Sequence, residues 1–283
     1  VSDGPSQAGE PHDLAHADFW RRYDEIEVRL TAWLSERMLD LAAPSRGDRV
    51  LDLAGGRGEP AVRALHRVGP DGSVLSVDPS PRLLAMARER AAAEGAGSLA
   101  TLVAPAETAA LPTDGFDLVT CRWGLMYMQD PLAALRNAAG ACRCGAQLVA
   151  AVWCAPDATD YRTLPREALR GLVEFVDDVV GEPGPFRFAD ATQTVAELAG
   201  AGWRVVHQEE HRVEVFAADT VAEVVRWAED LGIGRLLDGC DDRVKHAWRT
   251  RCGEAIARRG GPPFTLGGLT RLLLAARRDG MSR

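Results

Sequence analysis

The run Val50-Leu-Asp-Leu-Ala-Gly-Gly-Arg-Gly-Glu-Pro60 decides the fold. Its first half is short and apolar, the pattern of a buried strand. Its second half gathers small residues at Ala54, Gly55, Gly56 and Gly58, where the backbone can approach a ligand closely and turn through conformations closed to bulky side chains. A helix follows over about 59–68, with Pro60 where a first-turn proline is tolerated. Its free N–H groups point back at the turn and suit a carboxylate or a phosphate.

Outward from this turn the alternation continues. Ser73 to Val77 reads as a second strand, Leu99 to Val103 as a third, Phe116 to Thr120 as a fourth and Gln147 to Trp153 as a fifth. Ser80-Pro81 and Asp130-Pro131 each supply an N-cap and a first-turn proline, opening helices to about Glu94 and Ala141. Upstream, Phe19, Tyr23, Ile26, Leu30, Trp33, Leu34, Met38 and Leu41 step by threes and fours, an amphipathic helix. Downstream the pattern loosens. It gives a helix over about 162–180, a Gly-Pro break at 181–185, and a capping box from Asp190 and Gln193 opening a helix to Leu198. A strand over 203–216, mostly helix over 220–259 and a closing edge strand over 269–276 complete the chain.

The expected fold is α/β: a doubly wound, mostly parallel, seven-stranded Rossmann-like sheet with an N-terminal lid helix and helical cap insertions. The expected organisation is a helical lid over 1–44 and a ligand-binding core over 45–156. Residues 157–283 then hold the rest of the sheet (about 203–216 and 268–277) and cap insertions at about 160–182 and 218–262. Such sheets bind ligands beyond the carboxyl ends of their strands.

The 283 residues carry 33 Lys and Arg against 41 Asp and Glu, a formal charge of -8. An acidic chain without a dense basic run is a poor partner for phosphate backbones, which sets nucleic acid aside. No apolar stretch is long enough to span a bilayer, and Val1 to His16 lacks the apolar core of a signal peptide, so a cytoplasmic location is expected. The six cysteines are then expected as thiols. Cys142 and Cys144, without a second pair at ligand spacing, give no metal site. Heavy use of alanine and arginine points to a GC-rich bacterial genome.

Asp52 ends the first strand, where a carboxylate can accept from a ligand ammonium group. Together with the helix amino terminus, the turn suits the methionine half of S-adenosylmethionine. Asp78 closes the second strand, where an acid can take both hydroxyls of a ribose. Gly56-Arg-Gly58-Glu-Pro-Ala61 also satisfies the loose G-x-G-x-x-G/A pattern of dinucleotide binders, so an NAD-dependent oxidoreductase stands as a lower alternative. Asp52, however, has no evident use beside a pyrophosphate.

Four further stretches extend the pattern: Val74-Leu-Ser-Val-Asp-Pro-Ser80, the segment from Phe116 to Pro131, Leu148-Val-Ala-Ala-Val-Trp153 and Gly184-Pro-Phe-Arg-Phe-Ala-Asp190. With them, residues 48 to 216 resemble class I S-adenosylmethionine-dependent methyltransferases, in the bacterial group that includes ubiquinone and menaquinone biosynthesis enzymes. The resemblance implies S-adenosylmethionine as cofactor and S-adenosylhomocysteine as product. It implies cofactor contacts from Asp52, Ala54, Gly55, Gly56, Arg57 and Gly58, from Asp78 and Pro79, from Ala106 and Glu107, and from Cys121 and Arg122, with Tyr23 on the lid. Two positions depart from the family. Arg57 replaces a small or hydroxylated residue, placing a large cation against the methionine carboxylate or out in solvent. Pro105 replaces an acid that bonds the adenine amino group, leaving adenine to the Ala106 N–H and apolar packing.

For the acceptor, Trp123, Met126, Tyr127 and Trp153 follow strand ends, and Phe186 and Phe188 follow the Gly-Pro break. They are expected to wall a pocket for a small aromatic or apolar metabolite, as in bacterial secondary metabolism. Catalysis by such enzymes is mostly in-line positioning, helped by a base where the nucleophile carries a proton. His12, His16 and Tyr23 are the weak candidates for that base. His207 and His211 fall on the expected sixth strand, where a structural role is the simpler reading. A methyltransferase-fold cyclase or other non-methylating enzyme that keeps the cofactor is the alternative function. The expected partners are a small-molecule substrate and a second copy in a homodimer, with neither membrane nor nucleic acid.

Overall fold

The structure is a computed structural model that describes residues 14–113 and 115–278. Helix α1 (Leu14–Ala42) leads into β1 (Arg49–Leu53), α2 (Ala61–Val68), β2 (Ser73–Asp78), α3 (Pro81–Ala93), β3 (Ala100–Val103), β4 (Phe116–Arg122), α4 (Pro131–Ala141) and β5 (Cys142–Trp153). Then come α5 (Asp160–Glu167), α6 (Ala191–Gly200), β6 (Trp203–Ala218), α7 (Val221–Ala228), the single turn α8 (Gly234–Leu236), α9 (Asp242–Ala257) and β7 (Phe264–Arg277).

All seven strands form one sheet in the order β3-β2-β1-β4-β5-β7-β6. The pairs among β1 to β5 are parallel, and β7 runs antiparallel to both β5 and β6. This is the expected mostly parallel α/β sheet, with one correction: the strand near 269–276 is not an edge. β7 lies between β5 and β6, and Leu272, Leu273 and Ala275 are wholly buried. Its run of Leu-Leu-Leu-Ala-Ala satisfies two covered faces, whereas β6, rich in His, Glu and Arg, is the strand that tolerates an edge.

The predicted caps form. Ser80 accepts from the Leu83 N–H, Asp130 from Ala133 and Asp190 from Gln193. The Asp190 box is incomplete, because the Gln193 amide turns instead to Glu197. The complete capping box is Thr220 with Glu223. The helix expected over 162–180 ends at Glu167. Gly171 adopts a φ of 72°, and the valine-rich stretch after it has no periodic apolar stripe to bury: Val176 is 84% exposed. Asp178 instead folds back onto Arg162, with contacts of 2.6 and 2.8 Å.

Helix α1 descends from the binding edge to the opposite one. Its first half faces the turns after β1 and β4; near its end, Asp40 meets Arg67 at the end of α2. Its apolar side buries Leu34, Met38 and Leu39. Arg37 makes a fork of 2.7 and 2.8 Å onto Glu209 of β6. His207 and His211 both contact the same Glu209, so they belong to a surface cluster on the edge strand.

Candidate active site

The glycine turn after β1 is shaped from beneath. Asp52 is fully buried, with its two oxygens accepting from Thr120 Oγ1 at 2.7 Å and Ser76 Oγ at 3.3 Å. Burial raises its carboxyl to about 7, and the two hydroxyls pull the other way. A Cβ on Gly55 would overlap the Ser76 hydroxyl and the Asp52 carboxylate, so only glycine lets the chain pass over this buried pair. Gly58 has a φ of 95° and lies against Val62 and Ala87. Gly56 has a φ of 49°, and a Cβ there would meet only the Ala54 carbonyl oxygen, at 3.9 Å. Asp52 is therefore a strut under the turn; without exposed surface it does not meet a ligand ammonium directly, contrary to the sequence expectation.

Asp78 sits at the neighbouring strand end. Its oxygens accept from the Gly56 N–H at 3.0 Å and the Ser80 N–H at 2.8 Å, tying the glycine turn to β2. Each oxygen retains a further acceptor direction. Burial pushes this carboxyl up as well. Pro79 beside it is exposed. Across the cleft, Ala106 is buried and its carbonyl accepts from the Asn137 side chain. Glu107 departs from expectation: one oxygen accepts from the Gln129 N–H at 3.0 Å, which makes it a brace for the segment entering α4. Cys121 departs too. It is fully buried, and burial raises its thiol to about 12, so it packs beneath the turns rather than lining them.

Arg57 points neither at a methionine carboxylate nor into solvent. Its guanidinium pairs with Asp24 and Glu27 of α1 and lies 3.9 Å from the ring centroid of Trp20. Arg90 of α3 joins the same Asp24 and approaches Glu59 at 3.7 Å. Arg122, at the end of β4, donates to Thr31 at 2.9 Å and to Glu27 at 3.3 Å. The lid helix is thus bound to the turns after both central strands by a mostly buried cluster of charges. The α1 acids answering the three arginines lie from 30 to 95 residues upstream, on a helix whose spacing marks only its apolar stripe.

The turns after β1 and β4 also touch. Ala54 and Trp123 both adopt left-handed backbone, with φ of 52° and 56°. Gly124 is so close to Ala54 that a Cβ there would overlap the alanine methyl and stand 3.0 Å from the Cys121 sulfur. This turn swings the Trp123 indole onto Trp153, with centroids 4.4 Å apart and planes 14° from parallel, and its N–H donates to Thr270 at 2.8 Å. The aromatic series continues through Tyr161, Trp227, Phe216 and Tyr23 to Phe19. Tyr161, Trp227 and Phe216 were not singled out for the acceptor wall, because nothing in their spacing marks rings that three separate elements bring together.

Other acceptor candidates divide. Trp123 and Tyr127 keep exposed surface, and the Tyr127 and Tyr161 hydroxyls hydrogen-bond each other. Met126, Phe186 and Phe188 are buried at 1% exposure or less, and Trp153 at 3%. Phe186 and Phe188 pack in the core, the Phe188 carbonyl accepting from Thr194 and Arg271, so they do not line a cleft. Tyr23 donates to Asp230 at 2.7 Å, and burial raises its hydroxyl to about 12, which removes it as a base. His12 and the side chain of His16 lie outside the described residues. Among the described residues no group of three or more His, Cys, Asp or Glu stands close enough to hold a metal ion.

A glycine turn over a buried acid, a second acid at the next strand end and a seven-stranded sheet with β7 inserted antiparallel define a class. Residues 25–163 match the ubiE/COQ5 methyltransferase family. Over this segment the chain is similar to S-adenosylmethionine-dependent methyltransferases. It is 33% identical over 113 residues to aklanonic acid methyltransferase DauC of Streptomyces sp. (strain C5), covering 40% of this chain and 51% of that protein. It is 34% identical over 161 residues to the ubiquinone/menaquinone biosynthesis C-methyltransferase UbiE of Xylella fastidiosa (strain M23), covering 52% and 63%. The chain spans about half the length of the first of these relatives. Among solved structures, the fold resembles a SAM-dependent methyltransferase from Aquifex aeolicus (TM-score 0.51, 19% identity, covering 66% of this chain and 90% of that one). It also resembles the [4+2]-cyclase SpnF (TM-score 0.55, 18% identity, covering 87% and 80%).

The residues present fit S-adenosylmethionine. A Cβ on Gly56 would meet only the Ala54 carbonyl at 3.9 Å, and Asp78 keeps acceptor directions at the end of β2, where the dihydroxy edge of a ribose would fit.

Proposed function

We propose that this protein transfers the methyl group of S-adenosylmethionine to oxygen, nitrogen or carbon of a small aromatic or apolar metabolite in bacterial secondary metabolism. The observation that carries the reading is the junction of Asp78 with the Gly56 N–H beside the stacked Trp123 and Trp153. When bound, the cofactor supplies an activated methyl on a sulfonium. Asp78 holds the ribose, the 54–58 turn receives the methionine end, and α1 screens the site from water. Trp123 offers a flat wall on which a planar acceptor stacks.

The described hydroxyls and thiol near this edge hold their protons: Tyr23, Tyr127, Tyr161 and Cys121 are all raised by burial. An acceptor with an acidic phenol or enolisable carbon therefore suits the site best, because it brings its own nucleophile. The same observation supports the second reading, a non-methylating enzyme that keeps the cofactor. The acidic surface argues against nucleic acid, and among the described residues no helix is long and apolar enough to cross a membrane. A homodimer in the cytoplasm remains part of the proposal.

Calorimetry with S-adenosylmethionine, followed by incubation of the labelled cofactor with phenolic and quinonoid acceptors, tests the reading. Binding with transfer supports it. Binding with no label transferred, but an acceptor rearranged, favours the second reading. Absence of binding overturns both.

A further inference from the structure

At the same sheet edge, beyond the aromatic series, lies a groove of about 750 Å³. It is bounded by α1, the end of β6, the start of α7 and the approach to β7. Because β6 is antiparallel to β7 and β7 to β5, the end of β6 points to the edge that carries the glycine turn. The volume falls in the range of small-molecule sites, roughly 300–1,000 Å³. Its apolar surface comes from Ile26, Phe216 and Pro263, with the Tyr23 ring meeting Phe216 edge-on at 5.7 Å. Phe216 is itself backed by Trp227, stacked at 5.0 Å and 13°. That is a flat, rigid floor for fused rings.

The rim is charged, and its charges are unequally committed. Arg22, Arg29 and Arg226 border the groove, as do Asp219 and Glu223. Arg22 is held by Asp230 at 2.8 Å, and the Glu223 carboxylate is turned back into the cap of α7, accepting from Thr220 Oγ1 at 2.6 Å. Arg29 and Arg226 have no ion-pair partner among the described residues. Two uncommitted guanidiniums thus border the same groove as one uncommitted carboxylate, Asp219. Guanidinium is the side chain suited to planar, two-point recognition of a carboxylate.

We propose that this groove binds an aromatic carboxylic acid, its rings on Phe216 and Ile26 and its carboxylate between Arg29 and Arg226. Reading that ligand as the methyl acceptor rests on the proposed function; the binding itself does not. Tyr23, which lines the groove, is also a member of the aromatic series and is held by its 2.7 Å hydrogen bond to Asp230. The groove is then the outer station of the acceptor, where charge selects an acidic molecule before its ring system passes inward.

The test is calorimetry on the full chain, without cofactor, using 2-naphthoate and the neutral 2-naphthylmethanol. The acid should bind about tenfold more tightly, the scale of one charge-assisted contact. The double variant Arg29→Gln/Arg226→Gln should lose that advantage while its affinity for the alcohol stays the same. Arg21→Gln, an exposed change on α1 outside the groove, should alter neither. Equal binding of acid and alcohol, no binding of either, or an acid affinity untouched by the double variant overturns the proposal. S-adenosylmethionine titrated into the double variant separates this outcome from a failure of the methyltransferase reading, because cofactor affinity should be unchanged.

Discussion

The guanidinium of Arg57, a residue of the glycine turn, lies over the indole of Trp20 on the lid helix, 3.9 Å from the ring centroid, and forms ion pairs with Asp24 and Glu27. The glycine turn and the helix packed against it are therefore one mechanical unit. Removing one partner of a buried pair leaves the other charge uncompensated, at about 3–5 kcal/mol. Arg57→Met is expected to lose stability on that scale in urea denaturation and to speed amide exchange over residues 18–30. The triple variant Arg57→Met/Asp24→Asn/Glu27→Gln should recover part of the loss. A change below ~1 kcal/mol in the single variant would show that the lid stands without the latch.

Asp78 links the turn to β2 and is the proposed ribose acceptor. Asp78→Ala should weaken S-adenosylmethionine by at least roughly a hundredfold in calorimetry, the loss of two charge-assisted contacts. Far-ultraviolet circular dichroism should stay unchanged. Retained affinity would refute the ribose assignment.

Asp52 gives the protein a pH dependence of definite sign. Its carboxyl stands at about 7 when folded, because burial outweighs its hydroxyl donors. An unfolded aspartate titrates near 3.9. Between those values the unfolded chain is ionised while the folded chain keeps the proton, so folding is penalised progressively as pH rises from about 4 to about 7. The full penalty above that window is on the order of 4 kcal/mol. Asp52→Asn keeps the shape and removes the titration. Its stability relative to the parent should therefore rise across this window and level off above it, as measured by urea unfolding at several pH values. A flat difference between the two proteins contradicts the assignment.

Gly124→Ala tests the contact between the two turns. The added methyl meets the Ala54 methyl and the Cys121 sulfur, and overpacking of this kind costs about 1–3 kcal/mol. Cofactor affinity should fall with stability, and Ala54→Gly in the same chain should restore both. If the single change leaves affinity intact, the turns move independently.

The strands and their order of appearance were legible because a parallel sheet imposes apolar runs, and Ser80, Asp130 and Asp190 mark helix starts in any chain. The glycine turn and Asp78 were legible because short-range geometry fixes their residue types. The position of β7 was legible in principle, from a leucine run too apolar for an edge. What stayed hidden depends on distant partners. Arg57 reads as a cation near a ligand until Asp24 and Glu27 are brought over it, and Asp52 reads as a ligand acid until Thr120 and Ser76 close on it. The same holds for Phe186 and Phe188: aromatic rings after a Gly-Pro break look like a pocket wall, but the chain folds them into the core.

The antiparallel insertion of β7 also sets an order of assembly. β6 reaches the rest of the sheet only through β7, and α1 rests partly on β6 through the Arg37–Glu209 fork. During synthesis the lid helix emerges before every strand of this sheet, yet that part of its seat is incomplete until residues 264–277 have left the ribosome. Until then its apolar stripe, with Leu34, Met38 and Leu39, has a partial seat and invites a chaperone or another chain. Deleting part of β7 should therefore be felt first at α1, as loss of lid protection before loss of the central parallel sheet.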